Sequence, residues 1–155
     1  MWSISTQRTW CTLAAAAGIA VGGCGRDVHP SATGIDRDTR VVLNALAECY
    51  AEYMQYNRGR PPKDAESFRK FLDTRDSTLE LYGIENVDAL LKSPRDGEPF
   101  VILYGKTIPI RDSGGAEYVA FEQTGVDEFR MAARSRGGVD LLDPEEFQNL
   151  IGSQL

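Results

Sequence analysis

Between Asp38 and Asn57 the apolar residues Leu43, Leu46, Ala47, Tyr50, Tyr53 and Met54 recur three and four positions apart, while Asn44, Glu48, Glu52 and Gln55 fall opposite them. That spacing is the stripe of an amphipathic helix, and a stripe of this width has to lie against another layer. Asp36 or Asp38 can cap the start. Asn57 to Pro62 ends the helix, with Gly59 suited to a left-handed turn and Pro61-Pro62 unable to continue. The spacing therefore predicts a spine from about Thr39 to Asn57, and the rest of the chain has to supply what covers it.

The covering elements can be read in order. Asp64 suits the cap of a second short helix carrying Phe68, Phe71 and Leu72, and a polar link leads to a further helical turn or two at Val87 to Leu91. Ser93-Pro94-Arg95-Asp96-Gly97 reads as a turn, Pro setting φ and Gly supplying a positive one. After it Phe100 to Tyr104 has the length and β-branched content of a buried strand. Gly114-Gly115 separates this strand from Glu117 to Gln123, and Thr124-Gly125 with Asp127 allows a hairpin into Glu128 to Ala133. Val139 to Leu142 suits a short edge. Asp143-Pro144-Glu145-Glu146 then sets an N-cap, a first-turn proline and a capping-box glutamate ahead of Phe147, Leu150 and Ile151. Helices first and a meander afterwards predict an α+β domain: an N-terminal amphipathic helix plus short helices packed on a small antiparallel sheet of three to four strands, closed by a C-terminal helix. At 155 residues the chain has room for one such domain.

The first residues follow different rules. Met1 to Trp10 holds one basic residue, Arg8, and no acid; Cys11 to Val21 is apolar and rich in Ala; Gly22 and Gly23 precede Cys24. A positive start, an apolar middle too short to span a bilayer and small residues at the cut are the layout of an export signal. The run Val21-Gly22-Gly23-Cys24 resembles the lipobox of bacterial lipoproteins, with Val in the place of the usual Leu. The resemblance implies a signal peptide over 1–23, lipid attachment at Cys24 and a permanent membrane anchor. Nearby cleavage by the ordinary signal peptidase and an uncleaved anchor are the other readings of the same segment. Gly25, standing where an Asp would imply inner-membrane retention, inclines the expectation towards the outer membrane. Residues 24–37 are expected to be the lipidated cysteine and a tether, and 38–155 the domain.

Charge and cysteines narrow the function classes. The formal net charge is −6, with Lys and Arg interleaved among acids along most of the chain, which disfavours a nucleic-acid partner. No phosphate-binding glycine pattern is present, so no nucleotide is expected. If Cys11 leaves with the signal and Cys24 is acylated, Cys49 is alone, and a semi-buried, inert thiol is expected there. His29, the one histidine, sits in the tether, which removes both a His-based triad and a His-ligated metal. No cofactor or metal is expected. Acids are plentiful, Asp96 with Glu98 and Asp112 with Glu117 among them, and an envelope enzyme using such a pair, with an acid buried beside Tyr104 or Tyr118, is the alternative reading. The most distinctive local feature is Ser93 to Phe100, whose Arg95 and Asp96 are candidate binding residues at the mouth of the sheet.

The order of parts is similar to the globular domain of type II secretion major pseudopilins. The likeness rests on a long helix, Gly59-Arg60-Pro61-Pro62, a short helix, and Leu91-Lys92-Ser93-Pro94-Arg95-Asp96-Gly97-Glu98-Pro99-Phe100 opening a sheet. It implies a shared fold over about Asp38 to Ala133. It does not carry filament assembly, since the apolar packing helix of that family is replaced here by the lipoprotein-like signal, and fold alone does not carry function. The resulting expectation is a membrane-tethered, non-enzymatic interaction or accessory domain with an envelope protein as partner.

Overall fold

The computed structural model describes residues 34–110 and 114–152. The expected export signal, Cys24, His29 and Asp112 lie outside them. Helix α1 spans Gly34–Tyr56, so it begins four residues ahead of the expected domain boundary at Asp38. Its first turn belongs to the fold rather than to a tether, and Asp36 there accepts from Arg95 at 3.3 Å. A contact between residues so far apart in sequence leaves no local signal.

The buried face of α1 is broader than its stripe. Val42, Leu43, Ala45, Leu46, Ala47, Cys49 and Tyr50 are all buried, because the helix is covered by strands on one side and by the short helices on the other. Those helices are α2 (Ala65–Leu72), α3 (Asp76–Leu81) and α4 (Val87–Leu90). The Asp64 side chain accepts from the Ser67 amide at 2.8 Å, starting α2 where the sequence places its cap. Helix α3 lies in the stretch expected to be a polar link. Its sequence, DSTLEL, offers one buried residue, Leu79, and too little periodicity to announce a helix. Phe68 meets the Tyr50 ring at 5.6 Å and the Tyr53 ring at 5.9 Å, both edge-on, which seals α2 against α1.

Five strands form one antiparallel sheet: β1 (Phe100–Ile102), β2 (Ile108–Pro109), β3 (Glu117–Glu122), β4 (Arg130–Arg134) and β5 (Val139–Leu142). The order is β1-β3-β4-β5, and β2 pairs with the opposite half of β3 from β1. Strand β1 stops two residues short of the expected strand. The Leu103 carbonyl is taken by the Tyr50 hydroxyl at 2.6 Å, which ties the chain leaving the sheet to the middle of α1. Strand β2 was not expected, being two residues long and half proline.

Both faces of the sheet are covered. Phe100, Ile102, Ala120, Met131 and Ala133 pack in the cluster that contains α1. Phe121, Ala132 and Leu142 pack with Phe147 of helix α5 (Pro144–Gly152). Phe121 and Phe147 meet edge-on at 5.2 Å. Covering on both sides explains why β3 is buried along almost its whole length instead of alternating. The Asp143 and Glu146 side chains each accept the other's backbone amide, at 2.8 and 3.0 Å, completing the capping box that opens α5.

Candidate functional site

The segment from Ser93 to Phe100 turns as its sequence predicts. The Gly97 amide donates to the Ser93 carbonyl at 2.9 Å, and Gly97 takes a φ of +75°. Asp96 Oδ1 accepts the Glu98 amide at 3.0 Å, an Asx turn. The turn does not stand clear of the molecule. Asp96 Oδ2 reaches across to the Gly125 amide at 2.8 Å, so it grips the hairpin that joins β3 to β4. These backbone amides hold the Asp96 carboxyl below its ordinary value against the opposing effect of partial burial.

Arg95 points the same way. Its side chain is 7% exposed. Nη2 donates to the Phe129 carbonyl at 2.7 Å and to Val126 at 3.3 Å; Nη1 donates to Asp36. The guanidinium thus ties together the turn, the hairpin tip and the first turn of α1. Its Nε stands 3.5 Å from Glu122 Oε1, a charge contact without a directed hydrogen bond.

Glu122 is the residue the sequence reading missed. It ends β3, opposite Phe100, and is 0% exposed. The Ser93 hydroxyl donates to Oε1 at 2.9 Å, and the Met131 amide donates to Oε2 at 2.8 Å. The carboxylate therefore supplies an acceptor to a β4 amide where β3 and β4 part to make their hairpin. Burial raises its carboxyl above the ordinary value, while Met131, Ser93 and Arg95 oppose that rise. One signal was legible: Glu122 shares a strand face with Ala120, two residues back on the inward side, where a lone acid requires a partner.

The hairpin held by this cluster has an unusual tip. Val126 and Phe129 exchange both backbone hydrogen bonds, at 3.1 and 3.0 Å, across Asp127 and Glu128. Asp127 and Glu128 have φ of 52° and 70°, the mirror-image turn usually built from Asn and Gly. At Gly125 an added Cβ would collide with the Phe129 carbonyl, so only glycine fits.

Other expected residues are dispersed. Asp96 and Glu98 share a backbone contact rather than a cleft, and Glu98 is exposed. Tyr104 is half-buried. Tyr118 donates to Asp140 Oδ2 at 2.9 Å, and Asp140 also lies 3.6 Å from Arg134. Cys49 is wholly buried rather than semi-buried, and desolvation with the nearby Glu52 and Glu48 pushes its thiol up to about 12. Such a thiol is inert at neutral pH.

Among the open grooves of the described residues, three lie away from this cluster. One of about 680 Å³ is lined by acids of α2 to α4, including Asp73, Asp76, Glu80 and Glu85. One of about 380 Å³ lies between α1 and the β4–β5 turn, where Tyr82 donates to Glu48 at 2.5 Å. The third, about 720 Å³, separates α5 from Pro109, Ile110 and Tyr118. None is lined by Glu122, Arg95 or Asp96. Among the described residues no group of three acids, histidines or cysteines is placed to hold a metal ion. The chain matches no protein-family profile, no curated protein and no solved structure. Its function has to be argued from its own residues. No described helix is long and apolar enough to cross a membrane.

Proposed function

We propose that the chain is a lipid-anchored envelope protein whose α+β domain is an interaction or accessory module rather than an enzyme. The observation that carries the anchor is the run Val21-Gly22-Gly23-Cys24 behind an apolar, acid-free leader, with α1 opening at Gly34. Cys24 would take the diacylglyceryl group, and residues 25–33 would join it to the helix. Gly25 favours the outer membrane over the inner. The described domain supports a binding role through the use of its charged groups. Arg95, Asp96 and Glu122 are spent on joining secondary-structure elements, and none of them lines the grooves named above. What these bonds produce is a rigid platform with a preset hairpin tip. The proposed partner is an envelope protein.

The test is processing of the full chain in a bacterial host. The parent should partition into the detergent phase with acyl chains on Cys24 in its mass spectrum, and Cys24→Ala should be unprocessed or water-soluble. An unmodified Cys24 in the mature parent would overturn the anchor. Crosslinking in native membranes followed by mass spectrometry would then identify the partner.

A further inference from the structure

In an acidic chain one exposed segment runs the other way. From Gln55 to Lys63 there is no acid, and Arg58, Arg60 and Lys63 stand together just beyond the end of α1. All three are exposed, and among the described residues none of them forms an ion pair. Asp64, the nearest acid, is committed to the Ser67 amide at 2.8 Å as the cap of α2. Beside the cations Tyr56 is 71% exposed, its ring held by Phe71 at 6.1 Å and by the Arg75 guanidinium at 5.0 Å. Arg58 occupies a left-handed position, φ 59°, where glycine or asparagine is the easier residue.

We infer that this end of α1, Tyr56 with Arg58, Arg60 and Lys63, is a docking surface for an anionic phospholipid bilayer. Charge complementarity selects the partner. Clustered Lys and Arg are drawn to anionic headgroups, and a half-seated tyrosine suits the boundary between headgroup and acyl chain. The acids that line the groove along α2 to α4 are repelled by the same surface. The patch lies about 35 Å along α1 from Gly34. The inference does not rest on the anchor.

The test uses the full chain carrying Cys24→Ala, so that acyl chains play no part and any contribution of the N-terminal residues is common to every variant. Co-sedimentation is measured with vesicles of phosphatidylcholine alone and of phosphatidylcholine with phosphatidylglycerol. The parent should prefer the anionic vesicles, and Arg58→Ala/Arg60→Ala/Lys63→Ala should lose about ten- to a hundred-fold of that partitioning. Removing the same charge elsewhere, with Arg37→Ala/Lys92→Ala/Arg136→Ala, should leave most of it. Arg58→Lys/Arg60→Lys should bind as the parent does, since a bilayer reads charge rather than a planar fork. Equal binding to both vesicle types overturns the inference, as does equal loss from the two triple variants. Loss of binding in the lysine variant would overturn the inference that the bilayer reads the charge of this patch.

Discussion

Arg95 shows how much one side chain decides here. It holds two carbonyls of the hairpin tip, one carboxylate of α1 and the charge of a buried glutamate. Removing it would leave Glu122 buried without its cation, a change that costs about 3–5 kcal/mol in comparable sites. Arg95→Ala should therefore remove a large part of a stability of about 5–15 kcal/mol in a denaturant titration. A loss near zero would mean that the cluster is loose in solution. Glu122 gives the same site a pH signature. Its folded carboxyl titrates above the ordinary value of 4.5, so above that value the folded state binds more protons than the unfolded one and unfolding free energy falls as pH rises through the window. Asp64 and Asp96, both lowered, act in the opposite sense: their contribution is present above the ordinary 3.8 and is lost as pH falls below it. Glu122→Gln should thus gain on the parent as pH rises from about 4.5 towards neutrality. A difference between the two that does not vary with pH would refute the buried titration.

At the scale of the element, α1 is the spine that its spacing predicts, with a covered face wider than the stripe. Leu46 is wholly buried between the sheet and the short helices. Leu46→Ala should cost about 2–5 kcal/mol through lost transfer energy and a cavity. Glu52 was expected to be a free surface residue. Instead its Oε2 lies 3.4 Å from Arg75 Nε, and Arg75 in turn covers the Phe71 ring at 4.1 Å. Glu52→Ala should then cost up to about 1 kcal/mol, still well below Leu46→Ala. Comparable losses for the two variants in parallel denaturation would show that α1 is packed in a different phase. The capped helices α2 and α5 were legible because their signals are local: Asp64 with Ser67, and Asp143 with Glu146, act within three residues. Strand β2 and helix α3 were not, because each is fixed by its neighbours rather than by its own pattern.

For the whole molecule, the boundary of the fold carries the prediction. The described fold opens with α1 at Gly34. A chain beginning at Ser31 should unfold cooperatively with the stability of the full chain, and should do so in reductant and chelator, since its one cysteine is buried and unpaired. Beginning instead at Thr39 removes Asp36, its contact with Arg95 and the first turn of α1, and should lower the denaturation midpoint measurably. Identical midpoints would mean that this first turn contributes nothing and that the domain starts at Asp38 after all. Loss of folding on chelation would reveal a metal requirement foreign to the described residues.

The class of fold, the helical spine, the meander and the caps of α2 and α5 were determined by the sequence, because period, turn chemistry and caps are short-range physics written in adjacent residues. The proposed export signal ahead of Gly25 rests on composition alone. Only the tertiary structure decided what Arg95 and Asp96 are for. The sequence marks them as a polar turn at the mouth of a sheet, and a turn of that kind reads the same whether it faces solvent or the interior. Their partners, Asp36, Glu122, Gly125 and Phe129, come from α1, the end of β3 and the β3–β4 hairpin. A buried charge is stable only where such distant groups converge, and convergence over that separation is a property of the folded chain alone.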